Sequence, residues 1–188
     1  MSRAVASCLL SAIAFALALG CTGPPDGVEP IRGFELERYL GTWYEIARLD
    51  HRFERGLEDI SATYSLRDDG SIDVRNRGFD VAEGVWREAL GRALPIEDPR
   101  VASLKVSFFG PFYGGYHVIA LDREAYRDAL VSGPDRDFLW ILARDTVLEP
   151  ERQEALLATA RDFGYDVDAL IWVEHSRLDP ALTAEVPD

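Results

Sequence analysis

GTWYEIARLDHRFERG, residues 41 to 56, opens on a small residue and two aromatics and then turns charged. A soluble strand that begins Gly41-Thr42-Trp43-Tyr44 commits an indole to one face, and what that indole touches decides the fold. Downstream the dominant period is two. Ile60-Ser61-Ala62-Thr63-Tyr64-Ser65-Leu66 alternates apolar and polar residues throughout, the pattern of a strand with one buried face. Asp69-Gly70 then marks a tight hairpin, because glycine tolerates the positive φ such turns need. Alternation resumes at Ile72-Asp73-Val74-Arg75-Asn76-Arg77 and recurs over 85–93, 101–109, 116–122, 126–132 and 138–144, with Gly, Pro and Asp between the runs. With 42–49 at the start, these make eight consecutive strands. One helix is expected over 150–163: Pro150 suits its first turn, Gly164 its C-terminal cap, and Ala155, Leu156, Ala160 and Phe163 its buried face. A short strand over 170–173 follows.

Many short antiparallel strands mean a sandwich or a barrel. An eight-stranded barrel has room inside for one small ligand, and sequential hairpins favour the up-and-down form. The fold class is therefore all-β: an eight-stranded antiparallel up-and-down barrel, one C-terminal helix packed outside, and a short extra strand.

The chain has 188 residues and a net charge of −13. Nucleic-acid binding needs a cationic footprint, so this balance excludes it. An acidic body also needs a hydrophobic anchor to stay on a membrane. The N-terminus supplies one. Arg3 precedes a nearly uncharged apolar run, Ala4 to Leu19, and then Gly20-Cys21: a basic start, a short apolar core and a small-residue cleavage point make a signal peptide over 1–20. The run is short for a spanning helix. Leu17-Ala18-Leu19-Gly20-Cys21 resembles the bacterial lipobox, whose Cys becomes the lipidated first residue, although Ala18 and Leu19 are exchanged relative to the usual order. Thr22, in place of Asp after the Cys, implies sorting to the outer membrane, facing the periplasm. Residues 21–33, with Gly23-Pro24-Pro25-Asp26-Gly27, read as a flexible tether. The main domain then spans 34–178, and 179–188 form a loose tail. Cys8 lies in the removed segment, so the mature protein has no disulfide. No CxxC or Cys/His grouping suggests zinc, and no cofactor is expected.

Gly41-Thr42-Trp43-Tyr44-Glu45-Ile46-Ala47-Arg48 resembles the first lipocalin motif, Gly-x-Trp, in which the Trp plugs the closed end of the barrel. Arg144, ending Phe138-Leu139-Trp140-Ile141-Leu142-Ala143-Arg144, matches the family's arginine that lies across that ring, a cation–π contact. Leu121-Asp122-Arg123 resembles the middle motif, with Leu121 in place of Thr. The family's structural residues here are thus Gly41, Trp43, Asp122 and Arg144. His51 to Gly56, Lys105 to Tyr116 and Gly133 to Leu142 resemble the bacterial outer-membrane lipocalins, and the likeness runs from about Leu40 to Val173. It implies a lipid-anchored protein that stores or moves fatty acids or lysophospholipids for envelope maintenance. It also allows a homodimer contact through the aromatics of 110–115, a stretch that otherwise reads as a long connection between strands.

On alternation, the interior is expected to comprise Ala62, Tyr64 and Leu66; Ile72, Val74 and Asn76; Leu104, Val106 and Phe108; and Val118 and Ala120. The face of 85–93 is left open. These side chains either line a cavity for an alkyl chain or fill a solid core. Arg48, Arg52, Arg55 and Arg77 are available for a carboxylate or phosphate head group. Three rival functions remain. An enzyme acting on a lipid would use Tyr64, the one interior group suited to acid–base work. A tetrapyrrole binder would use His117 as an iron ligand, but His117 stands in the opposite phase to the apolar face. A structural envelope protein would have a filled interior. No nucleophile motif accompanies His51, His117 or His175, and an enzyme is not expected.

Overall fold

The computed structural model describes residues 22–183; the expected signal peptide, Cys21 and residues 184–188 lie outside the described residues. Eight strands run in chain order: β1 Gly41–Arg48, β2 Leu57–Leu66, β3 Ile72–Asp80, β4 Val85–Pro95, β5 Ser103–Phe109, β6 Phe112–Leu121, β7 Asp128–Ser132 and β8 Leu139–Ala143. Each pairs antiparallel with the next, and β1 also pairs with β8, which closes the cylinder and removes its free edges. A ninth strand, β9 Ile171–Trp172, joins β1 at Ala47 and Arg48. A short helix, α1 Leu36–Tyr39, enters β1; α2 Pro150–Asp162 packs outside against β7, and α3 Pro180–Thr183 ends the described chain. The closed end carries the turns at 67–71, 96–102 and 122–127. The mouth carries 49–56, 81–84, 110–111 and 133–138.

Alternation gives the wall two apolar faces. Inside, Trp43, Tyr64, Ile72, Val74, Leu104 and Val118 form one cluster. Outside, Ile46, Leu139 and Ile141 meet Leu156, Leu157 and Ala160 of α2. The buried face of α2 therefore uses Leu157, and Ala155 is exposed.

Two of the expected interior positions leave the lining, one through a bulge and one through its place at the end of a strand. In β6 the register slips between Val118 and Ala120. A one-residue slip exchanges faces, so Ile119 and Ala120 pack with the outer cluster while Val118 and Leu121 face inward. Leu66 ends β2 at the closed rim and is 48% exposed.

Three boundary readings are corrected. Residues 110–115 are not a long connection: β6 starts at Phe112, opposite Phe109, so the turn is Gly110-Pro111 alone. Gly114 and Gly115 hid the strand because they carry no side chain to alternate. Residues 22–33 do not hang free as a tether. Ile31 N–H donates to the Val118 carbonyl (2.9 Å), the Ile31 carbonyl accepts from Ala102 (3.0 Å), and Pro25 and Val28 are buried. The tail begins docked, since the Asp179 carboxylate accepts from Arg77 Nε (2.6 Å) and Nη2 (3.0 Å).

Candidate functional site

The floor of the barrel is built first by backbone geometry. Gly41 has φ of +89°, a region that favours glycine, and a Cβ there would lie 3.5 Å from Arg144 Nη1. The turn drives Trp43 inward, where it is fully buried and its Nε1–H donates to the Tyr39 carbonyl at 2.7 Å. Arg144 Cζ sits 3.9 Å from the centroid of the indole ring. Its guanidinium also donates to the carbonyls of Thr42 (2.7 Å), Arg38 (2.9 Å) and Leu40 (2.9 Å). One side chain thus covers the ring and satisfies the backbone groups freed where β1 begins. Asp122 holds the neighbouring turn, accepting from the N–H of Glu124 (3.2 Å) and Arg127 Nε (3.1 Å).

Above the floor stand three phenols. Tyr39 Oη lies 2.6 Å from Tyr116 Oη, and Tyr64 donates to Tyr116 at 3.0 Å. Burial raises the pKa of all three above the ordinary tyrosine value. Tyr64 is therefore a weaker acid than usual and already a hydrogen-bond donor, which makes it a poor catalytic base.

The two sides of the wall then diverge. On the β7–β8 side, Ala129, Val131 and Leu142 are fully packed. On the β2–β6 side, Ala62, Asn76, Val106, Phe108 and Tyr116 face inward yet keep partial exposure. In β4, Ala89 is paired with Asn76, Gly91 with Val74 and Ala93 with Ile72, which places all three on the inner face. Ala93 is buried, whereas Ala89 is exposed. Solvent therefore reaches into the cylinder from the mouth along β3 and β4. Gly91 leaves room for a ring: a Cβ there would come within 2.8 Å of Phe108.

Near the mouth on β1, a polar cluster intrudes among these apolar groups. Glu45 and Arg48 are both buried, with Arg48 Nη1 2.9 Å from Glu45 Oε1. Arg48 Nη2 donates to the Glu54 carbonyl at 2.9 Å. The Glu54 carboxylate lies 2.9 Å from His51 Nε2 and accepts from Trp140 Nε1 at 3.1 Å. Burial, then the neighbouring Glu54 charge, holds the Glu45 carboxyl well above its usual range. Burial also acts to raise Glu54, but His51, Trp140 and Arg48 outweigh it and bring Glu54 below that range. Arg48 Nε, His51 Nδ1 and Asn76 Oδ1 are buried without a hydrogen-bond partner among the described residues. Buried groups left in this state are costly unless something else completes them.

Of the expected interior residues, the structure brings together Ala62, Tyr64, Ile72, Val74, Asn76, Leu104, Val106, Phe108 and Val118, and leaves out Leu66 and Ala120. Among the arginines, Arg48 alone enters the cluster; Arg55 binds Asp50, Arg77 binds Asp179 and Glu88, and Arg52 stacks on Phe53. His117 points out of the barrel, with Nδ1 2.8 Å from Ser103 Oγ, and residues 22–23 cover it. It cannot present a ligand to the interior. Sequence reasoning missed Glu45, His51, Glu54 and Trp140. A Glu inside the alternation of β1 was the available signal.

A family model described as a lipocalin-like domain matches residues 34–175. The chain is a lipocalin. Its subgroup is that of the bacterial Blc proteins. It is 56% identical over 160 residues to the outer membrane lipoprotein Blc of Citrobacter freundii, covering 84% of this chain and 90% of that protein. It is 55% identical over 166 residues to the Blc of Escherichia coli K12, covering 87% and 93%. Among solved structures, insecticyanin of the tobacco hornworm superposes with a TM-score of 0.67 at 23% identity, covering 84% of this chain and 88% of that one; at that identity the likeness speaks for the lipocalin fold.

Proposed function

We propose that this lipocalin is anchored to the bacterial outer membrane through an acylated Cys21 and holds a fatty acid or a lysophospholipid in its barrel. The observation that carries this reading is the unequal wall: several inward residues on β2 to β6 remain partly exposed in a closed cylinder whose opposite side, Trp140 apart, is buried. An alkyl chain laid along Ala62, Val74, Val106 and Phe108 would remove that apolar surface from water. At roughly 0.8 kcal/mol per methylene, about 14 methylenes contribute about 11 kcal/mol, and immobilisation offsets several. Micromolar or tighter binding follows. The buried Arg48 guanidinium, with Nε unpartnered, supplies a donor for an anionic head group.

The lipoprotein assignment draws on the Blc relatives, both named as outer membrane lipoproteins. The barrel acts as a carrier and not a catalyst on this reading, since its interior phenols are held from ionising. Titration of the soluble domain with a fluorescent fatty acid, followed by displacement with lysophospholipid, tests the ligand class. Saturable micromolar displacement supports it, and its absence refutes it. For the anchor, Cys21→Ser is expected to move the protein from the membrane to the soluble periplasmic fraction. Retention on the membrane after that change would refute acylation as the anchor.

A further inference from the structure

The three phenols above the floor bring three protons to two hydrogen bonds. Tyr64 Oη–H donates to Tyr116 Oη, which spends the Tyr64 proton. The bond between Tyr39 Oη and Tyr116 Oη, at 2.6 Å, takes its proton from one of the two and leaves the other's over. Burial decides which. Tyr39 is wholly buried, and its hydroxyl has no other partner among the described residues. A spare donor there would be stranded out of reach of water, at the full cost of its desolvation. Tyr116 keeps partial exposure. Tyr39 and Tyr64 therefore both donate to Tyr116, and the Tyr116 proton is left for the interior. An oxygen that accepts two hydrogen bonds is polarised into a stronger donor.

That proton stands where the far end of an acyl chain would arrive. Beneath it the floor is solid: the Tyr39 ring centroid lies 4.6 Å from that of Trp43 and 5.6 Å from that of Tyr64, and Arg144 lies over the indole. A chain entering from the mouth along Val106 and Phe108 meets these rings and stops. A methyl end pressed against Tyr116 would drive off the water that serves its proton and put nothing in its place. An oxygen there would accept it. Asn76 Oδ1 is a matching acceptor, buried without a hydrogen-bond partner among the described residues. On β3 it stands two residues, about 7 Å, nearer the mouth than Val74, the cross-strand partner of Tyr64. A hydroxyl both accepts and donates, so it is the oxygen function that suits this pair.

We infer that Tyr116 is a specificity-determining contact at the foot of the cavity, a donor to an oxygen on the far end of the ligand's chain, so that the barrel prefers acyl chains hydroxylated near their methyl end to plain ones. This rests on the fatty-acid reading above, with the carboxylate at the Arg48 end. It adds a second polar point to an interior whose walls between are apolar, with Val74, Val106 and Phe108 among them. Two polar points fix the direction and the length of a ligand, and apolar walls alone fix neither.

The test compares palmitic acid with ω-hydroxypalmitic acid as competitors for a bound fluorescent fatty acid, in the Cys21→Ser protein so that no detergent enters the barrel. The hydroxylated acid is expected to displace the probe at about fivefold lower concentration, the worth of one further hydrogen bond. Tyr116→Phe is expected to abolish that ratio. Tyr39→Phe is expected to keep it, because Tyr64 still donates to Tyr116, and so controls for a general loosening of the floor. Equal displacement by the two acids in the parent overturns the inference and leaves the fatty-acid reading standing; the parent's own ratio decides this even where a variant fails to fold. A ratio that survives Tyr116→Phe places the hydroxyl elsewhere, and one lost in Tyr39→Phe places the spare proton on Tyr39; either overturns it. If Tyr116→Phe weakens palmitic acid as much as its hydroxy derivative, the carboxylate itself sits at the floor, which overturns it too. Displacement by neither acid refutes the fatty-acid reading, and the inference with it.

Discussion

The two ends of this barrel solve opposite problems with similar residues. At the closed end Arg144 meets an aromatic ring and four carbonyls, so each of its three nitrogens donates a hydrogen bond. At the mouth Arg48 is more deeply buried, yet one of its nitrogens has no partner among the described residues, and neither have the Oδ1 of Asn76 and Nδ1 of His51. A satisfied network rigidifies, and an unsatisfied one is receptive. The difference teaches that stability and binding are divided along the axis: the floor holds the cylinder shut, and the upper half keeps polar and apolar surface available.

The sharpest way to break this comparison is at the floor. Trp43→Ala is expected to destabilise the domain by about 3–5 kcal/mol, through lost burial and the cavity left behind. Arg144→Ala strands partly buried carbonyls and uncovers the indole, and is expected to cost about 2 kcal/mol. Urea unfolding followed by circular dichroism measures both, and a loss below about 1 kcal/mol for either would mean the floor is not what holds the barrel. At the mouth the effect shifts from stability to affinity. Val106→Trp fills space above the phenols; displacing about three methylenes costs about 2 kcal/mol, roughly thirtyfold in fatty-acid affinity. Its unfolding midpoint should change little, because Val106 is only partly buried. Unchanged affinity would place the ligand elsewhere.

A smaller effect concerns pH. Glu54 titrates below its usual range, so its ionised form contributes stability above that range, and the contribution is lost as pH falls through it. Glu45 titrates above its range, so its contribution is present in acid and fades as pH rises. Glu54→Gln is therefore expected to flatten the acid-side loss seen in the parent's unfolding free energy between about pH 5 and 3. An undiminished loss would mean that other carboxylates govern acid unfolding. The smallest effect is expected at Leu66→Ala, about 0.5 kcal/mol in stability with fatty-acid affinity unchanged, since Leu66 lies at the exposed rim of the floor. A clear affinity loss there would restore Leu66 to the lining.

The eight strands, the outer helix and the inward set Tyr64, Ile72, Val74 and Leu104 were legible in the residues, because a period of two writes burial directly into sequence. Trp43 and Arg144 were legible only through family likeness. Their separation along the chain carries no local signal, and a closed barrel alone brings the first and last strands together. Ala120 was misread because a bulge leaves no mark in alternation. The Glu45–Arg48–His51–Glu54 cluster was hidden for a related reason. Charged residues in a strand normally read as solvent-facing, and only the packing of β1, the 49–56 loop and Trp140 shows them turned inward.

By itself, then, the order of residues determined the class of fold and the acidic character of the chain. These depend on local periodicity and composition. Which end is sealed, which wall stays open, and where residues 22–33 run were decided by tertiary structure. Each depends on contacts between residues far apart in the chain, such as Arg144 with Thr42 and Arg136 with Asp26, that form only once the cylinder closes.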